Sequence, residues 1–188
     1  MKSWARKGGS LRWSIKVHRS ITHLRKLSER ALDAWFKFKE VFSEMDSLID
    51  FYLFQLPPNY SCREEGLKKV EDFHEKTKLG QRMAVEFRHE SCFNNNVAKR
   101  LEDAGIVVVS IDAPIGTWIV SSRGVVYLRM HGRSAWYGHE YSEEELGEVA
   151  SKVLSLSPER VYVFFNNDHW MLDNARLMKK LLEEMSRK

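Results

Sequence analysis

Six short runs of β-branched and aromatic residues recur along the chain, with helical spacing or a turn between them. They are LRWSIKV (11–17), FYLFQL (51–56), MAVEFR (83–88), IVVVSI (106–111), VVYLRM (125–130) and VYVFFN (161–166). Strands this continuously apolar are buried on both faces, the pattern of a parallel sheet covered by helices. The segments between them supply the helices. Ser28 can cap a helix carrying Leu32, Trp35, Phe36, Phe42 and Met45. Ser61 with Glu64, and Ser142 with Glu145, have capping-box spacing. Gly105 stands where a helix would need a C-terminal cap. The connection DAPIGTWIVSSRG has no helical period.

At 188 residues, the chain is long enough for one α/β domain, 1–188, with a sizeable core. No apolar run approaches the roughly 18 residues that span a bilayer. The basic start, MKSWARKGGSLRWS, has no apolar segment of signal-peptide type. A cytoplasmic location and no membrane partner are therefore expected. Cys62 and Cys92 have no metal-site or CxxC spacing and read as free thiols. Residues 1–30 hold nine Lys or Arg and one Glu. That excess suits a solvated basic segment, with nucleic acid as the less supported partner.

Every apolar run ends in polar groups: Lys16, Gln55, Glu86 and Arg88, Asp112, Arg129 and His131, Asn166. Side chains two apart on a strand share a face, so Glu86 goes with Arg88 and Arg129 with His131. Polar groups at strand C-termini are costly against a helix layer and useful at the mouth of a (β/α) barrel.

The stretches SIKVHRSITH, LFQLPPNY, VEFRHESCF, YLRMHGR with Tyr137 and YSEEEL, and VYVFFNND with Asn174 and Ala175 resemble the DUF72 (YecE-like) family. The resemblance runs from about residue 11 to residue 182 and implies a TIM-type (β/α) barrel of unestablished activity. It also implies that the first two β/α units are missing, leaving six parallel strands in an incomplete, N-terminally shortened barrel. Such a gap leaves open edges, for which a homodimer covering the open side is the expectation.

The residues expected at the rim divide by chemistry. Lys16, Arg88, Arg129, Tyr137 and Asn166 are the ligand-binding candidates, since guanidinium groups hold carboxylate or phosphate in bidentate fashion. Glu86, His131 and Asp112 are the catalytic candidates, two for proton transfer and Asp112 to orient His131 or a substrate hydroxyl. These suit an acid–base enzyme acting on an anionic small molecule, phosphate or carboxylate. The alternative is a non-catalytic ligand- or partner-binding protein with a degenerate barrel. A further alternative is a metal-dependent phosphodiesterase acting on nucleic acid. No organic cofactor is expected. A divalent metal would draw on Glu86, Asp112, His131, His89 or Asp168, but the neighbouring arginines oppose a cation. No GxSxG, Walker-type or GxGxxG motif occurs.

Overall fold

The computed structural model of the protein describes residues 11–187. The first ten residues, with three of the nine basic groups noted above, lie outside the described residues. The chain divides into two units, Met1–Val107 and Val108–Lys188. Each contains three parallel strands with helices between them. These make the six parallel strands expected of a TIM-type barrel shortened by two β/α units.

In the first unit, β1 (Trp13–Lys16), β2 (Ile49–Gln55) and β3 (Met83–Glu86) pair in parallel, with Lys16 opposite Leu53, Leu53 opposite Ala84, and Gln55 opposite Glu86. Register fixes the faces. Tyr52 and Phe54 point towards the helices α1 (Leu32–Glu40) and α2 (Glu64–Thr77), where Trp35 and Phe73 meet them. Trp35 is fully buried, with ring centroids 5.0 Å from Tyr52 and 5.2 Å from Phe54. Each such aromatic pair adds about 0.5–1.5 kcal/mol beyond the area it buries. Leu53, Gln55, Lys16, Ala84 and Glu86 take the opposite face. The polar strand ends of this unit are thus turned away from α1 and α2.

The helix α3 (Asn95–Asp103) starts at Asn94, whose side chain accepts from the Val97 N–H. It ends at Gly105, whose φ of +87° lets Ile106 N–H reach back to Leu101 O at 2.9 Å. Three expectations fail in this unit, the first at Ser28, which makes no capping hydrogen bond and precedes a 3-10 turn, Glu29–Ala31, so that α1 starts only at Leu32 and ends before Phe42 and Met45. Cys62 and Cys92 are not free thiols; they form a disulfide with Cα atoms 5.0 Å apart. The spacing rules miss it because the partners lie 30 residues apart, on the loops after β2 and β3 that parallel pairing brings together. The capping box at Ser61 and Glu64 is also absent. The chain around Cys62 is extended and tied to the next loop by the disulfide and by Cys62 N–H to Ser91 Oγ at 3.0 Å. Helix α2 therefore begins at Glu64, with Arg63 as its N-cap.

In the second unit, β4 (Val107–Ala113, whose first residue belongs to the first unit), β6 (Val125–Met130) and β7 (Arg160–Phe165) run parallel in the order β4-β6-β7. The non-helical connection after β4 carries a short strand, β5 (Gly116–Trp118), antiparallel to β4. Ser110 secures this detour by bonding both N–H and C=O of Val120, and Ser122 Oγ accepts from Val108 N–H. Val126, Leu128 and Met130 face α4 (Glu143–Ser155) and α5 (Met171–Met185), packing with Leu146, Val149, Val153 and Met178. The expected capping box at Ser142 and Glu145 is present with both of its hydrogen bonds.

Candidate functional site

The first unit gathers its candidates on one sheet face. Lys16 ends β1 and Glu86 ends β3, and Arg88 lies two residues beyond Glu86. Glu86 is fully buried, and the Arg88 side chain, 6% exposed, places both Nε and Nη2 at 2.5 Å from Glu86 Oε1. Breaking a buried pair of this kind costs about 3–5 kcal/mol, because one charge is left without its counterpart. The pair therefore fixes the direction of the guanidinium. Gln55 shares the face, one strand away from Glu86.

The chain leaving β1 adds groups that the strand-end rule did not find. His18 Nδ1 lies 2.8 Å from Ser20 Oγ and accepts from Ser20 N–H. A single π-helical turn, Ser20–Leu24, follows and closes with Arg25 N–H to Ser20 O at 3.1 Å. Such turns are rare and cluster at functional sites. This one buries Ile21 and Thr22 and sets His23 half-buried beside Thr22 Oγ1 at 2.9 Å. Burial, then the positive charges of Arg19, Lys16 and Arg88, hold the His23 imidazole below its ordinary range. Four basic side chains of this unit thus act on one another. The sequence signal was there, in the density of basic residues within KVHRSITH. A search confined to strand ends passes over it.

In the second unit, register puts Ile111, Arg129 and Phe164 level on one face and Asp112, Met130 and Phe165 on the other. Arg129, His131 and Asn166 therefore share the face away from α4 and α5, and Asp112 does not. His131 is fully buried and Arg129 nearly so. The rings of Trp136 and Tyr137 lie 5.6 and 6.0 Å from that of His131. Tyr137 holds a left-handed φ of +69°, which a non-glycine residue adopts only at a cost of about 1–3 kcal/mol. Its N–H closes the turn onto His131 O at 2.7 Å.

Asp112 sits on the helix-facing side and has its own set of partners. Its carboxylate accepts from Thr117 Oγ1 at 2.7 Å, Tyr141 OH at 2.7 Å and Arg133 Nε at 3.1 Å. Only its main-chain carbonyl meets His131, through the His131 N–H at 2.7 Å. Burial and then the Asp112 charge push the Tyr141 phenol well above its usual range, so it stays a donor. Arg133 also reaches Glu148, whose carboxyl is lowered to about 2 by hydrogen bonds from Lys152 and Arg133.

A further cluster lies in the loop after β6. Ser134 Oγ is 2.9 Å from His139 Nδ1, and His139 Nε2 is 3.1 Å from Glu145 Oε2. No strand-end or motif rule points to these residues. Glu145 also caps α4, and that role in the sequence pattern hides its second contact. Of the metal-ligand candidates, Asp168 is exposed beside His169. Among the described residues, no three His, Cys, Asp or Glu side chains converge where an ion could sit. No helix of the described residues is long and apolar enough to cross a membrane.

A model of the DUF72 family, described as "Protein of unknown function DUF72", matches residues 1–188. The fold resembles the crystal structure of a DUF72 family protein from Thermotoga maritima, with a TM-score of 0.80 at 26% identity, covering 97% of this chain and 78% of that one. Two crystal structures of a DUF72 family protein from Enterococcus faecalis match with TM-scores of 0.71 and 0.68. Their identities are 21% and 22%; each covers 92% of this chain, and 74% and 78% of theirs. No curated protein matches the chain.

Proposed function

The chain belongs to the DUF72 family of proteins of unknown function, and on that premise we propose that it binds an anionic small molecule, a phosphate or a carboxylate, at the strand-end face of its first unit. The observation that carries this reading is the buried Glu86–Arg88 pair opening onto a face shared with Lys16. Arg88 is the anion-binding fork, held in direction by Glu86, and Lys16 adds a point charge. Glu86 is the proton acceptor of this face. His23, whose proton affinity is lowered first by burial and then by its cationic neighbours, takes up a proton more readily when an anion offsets those charges.

The second unit, taken by itself, carries similar chemistry in Arg129, His131 and Asn166, with Tyr137 packed on the histidine. Here His131 would move the proton and Arg129 and Asn166 would hold the ligand. A second reading, ligand binding without catalysis, is favoured by Asp112: all its carboxylate contacts named above are internal. In that reading Asp112 is a positioning residue for the loop that carries Arg133 and Tyr141.

Calorimetric titration with inorganic phosphate tests the first proposal. Lys16 is exposed, so Lys16→Met leaves the fold intact. It should weaken binding about tenfold or more, the worth of one charge-assisted hydrogen bond. Arg88→Lys keeps a positive charge beside Glu86 and removes the fork, and should weaken binding further. Saturable phosphate binding that neither substitution alters would remove this face from consideration.

A further inference from the structure

We propose that Ser134, His139 and Glu145 form a base-activated serine nucleophile, an acyl-transfer centre in the second unit that acts on small activated carboxylic esters. The three groups lie in the order such chemistry needs: hydroxyl, imidazole, carboxylate. Ser134 Oγ is 2.9 Å from His139 Nδ1, and Glu145 Oε2 is 3.1 Å from His139 Nε2.

The tautomer is set by the main chain. Ser134 N–H also points at His139 Nδ1, at 3.4 Å. An N–H can only donate, so Nδ1 is the bare, accepting nitrogen and the ring proton resides on Nε2, facing Glu145. A bare Nδ1 beside Ser134 Oγ is the arrangement of a general base. A serine that merely donated to a surface histidine would not need the far nitrogen held by a carboxylate.

The surroundings hold the ring in place. His139 O accepts from Asn167 Nδ2 at 2.9 Å, and the Tyr141 ring meets the imidazole edge-on at 4.6 Å. Glu145 is anchored at the start of α4, where its Oε2 also accepts from Ser142 N–H at 2.9 Å. Gly132 makes room for the loop: a Cβ there would lie 2.5 Å from Ala135 O and 2.7 Å from His139 Cβ. Exposure is graded as well. Ser134 is open to solvent, while the His139 and Glu145 side chains are 13% and 27% exposed. Partly exposed Trp136 and Tyr137 follow the serine and offer an apolar surface to an aryl or acyl group.

The reaction balances without any further reagent than water. Ser134 Oγ bonds to the ester carbonyl carbon while its proton passes to His139 Nδ1, and Glu145 stabilises the imidazolium. The bond from that carbon to the alcohol oxygen breaks, and the proton goes to the departing alkoxide. Water then attacks the acyl-serine, His139 takes and returns its proton, and the free acid leaves with Ser134 restored.

The test is labelling of the full chain with a fluorophosphonate probe, located by peptide mass spectrometry, together with p-nitrophenyl acetate turnover. The expected result is a single adduct on Ser134, with fluoride displaced, and an acetyl-enzyme burst. Ser134→Ala abolishes both. His139→Ala slows labelling about 100-fold, the lower end for loss of a general base. Glu145→Gln slows it while preserving the helix cap, since glutamine serves equally at that position. Circular dichroism checks that each variant is folded. No adduct on Ser134 in the folded wild-type protein overturns the proposal. So does an adduct that forms on Ser134 at the same rate without His139.

Discussion

Replacing Asp112 by alanine should cost the protein stability rather than a specific chemical step. The residue is fully buried and serves three donors. Thr117 is exposed in a short hairpin and can turn its hydroxyl to water at little cost. Tyr141 is 3% exposed and loses the acceptor for its O–H, a penalty of about 1–3 kcal/mol for a buried group left unsatisfied. Arg133 retains Glu148 at 2.8 Å, so its loss is nearer to that of one charge-assisted bond, about 1.5–3 kcal/mol. Together these span about 2.5–6 kcal/mol, which brackets the loss of about 3–5 kcal/mol expected from breaking a buried ion pair. For a chain of this size, each kcal/mol moves Tm by about 2–4 °C, so a fall of about 6–20 °C is expected. Asp112→Asn keeps an acceptor for Tyr141 and should lose less than half as much. Scanning calorimetry of wild type and both variants gives the numbers. A Tm for Asp112→Ala within 2 °C of wild type, roughly 1 kcal/mol or less, would refute the reasoning. Asp112 would then have to matter for something other than holding Tyr141 and Arg133.

Other consequences can be checked alongside. Reducing the Cys62–Cys92 bridge, which closes a 30-residue loop, should destabilise the protein by about 3–4 kcal/mol. Denaturant unfolding with and without dithiothreitol measures this, and serine at both positions should match the reduced protein. His23 has a depressed pKa in the folded state, so it takes up a proton more readily once unfolded. Its contribution to stability is present above an ordinary imidazole pKa of about 6.5 and is lost as pH falls below it. His23→Gln should therefore flatten the decline in Tm between about pH 7 and 5. Trp35→Ala, at the centre of the first unit's aromatic cluster, should cost about 3–5 kcal/mol with no effect confined to ligand binding.

The alternation of apolar runs was enough to place all six parallel strands, with ends shifted by no more than two residues and 125–130 matched at both ends. Hydrophobic burial on both faces sets that pattern in β3, β4 and β6, and the same apolar composition marks β1 and β7, which are only partly buried. The capping box at Ser142 and Glu145 was legible because its hydrogen bonds lie within four residues. The disulfide was not, because it joins loops 30 residues apart that only strand pairing makes neighbours. The strand-end rule found Lys16, Glu86, Arg88, Arg129, His131 and Asn166 on faces turned from the helices their units pack against. It misplaced Asp112 because composition says that a polar residue ends the strand, while parity, one residue off from Ile111 and Arg129, decides which side it takes. The loop cluster of Ser134, His139 and Glu145 escaped it altogether. Its residues approach one another through the fold of a bend rather than along a repeating element.

The claim that an anion is held by Arg88 and Lys16 beside His23 is tested most directly by that imidazole. The His23 ring protons can be followed by NMR through a pH titration in phosphate and in chloride at matched ionic strength, with His23→Gln assigning the signals. If phosphate binds on this face, its negative charge offsets the surrounding cations, and the His23 midpoint rises in phosphate relative to chloride. Lys16→Met should reduce that rise. An identical His23 midpoint in the two buffers would contradict the account.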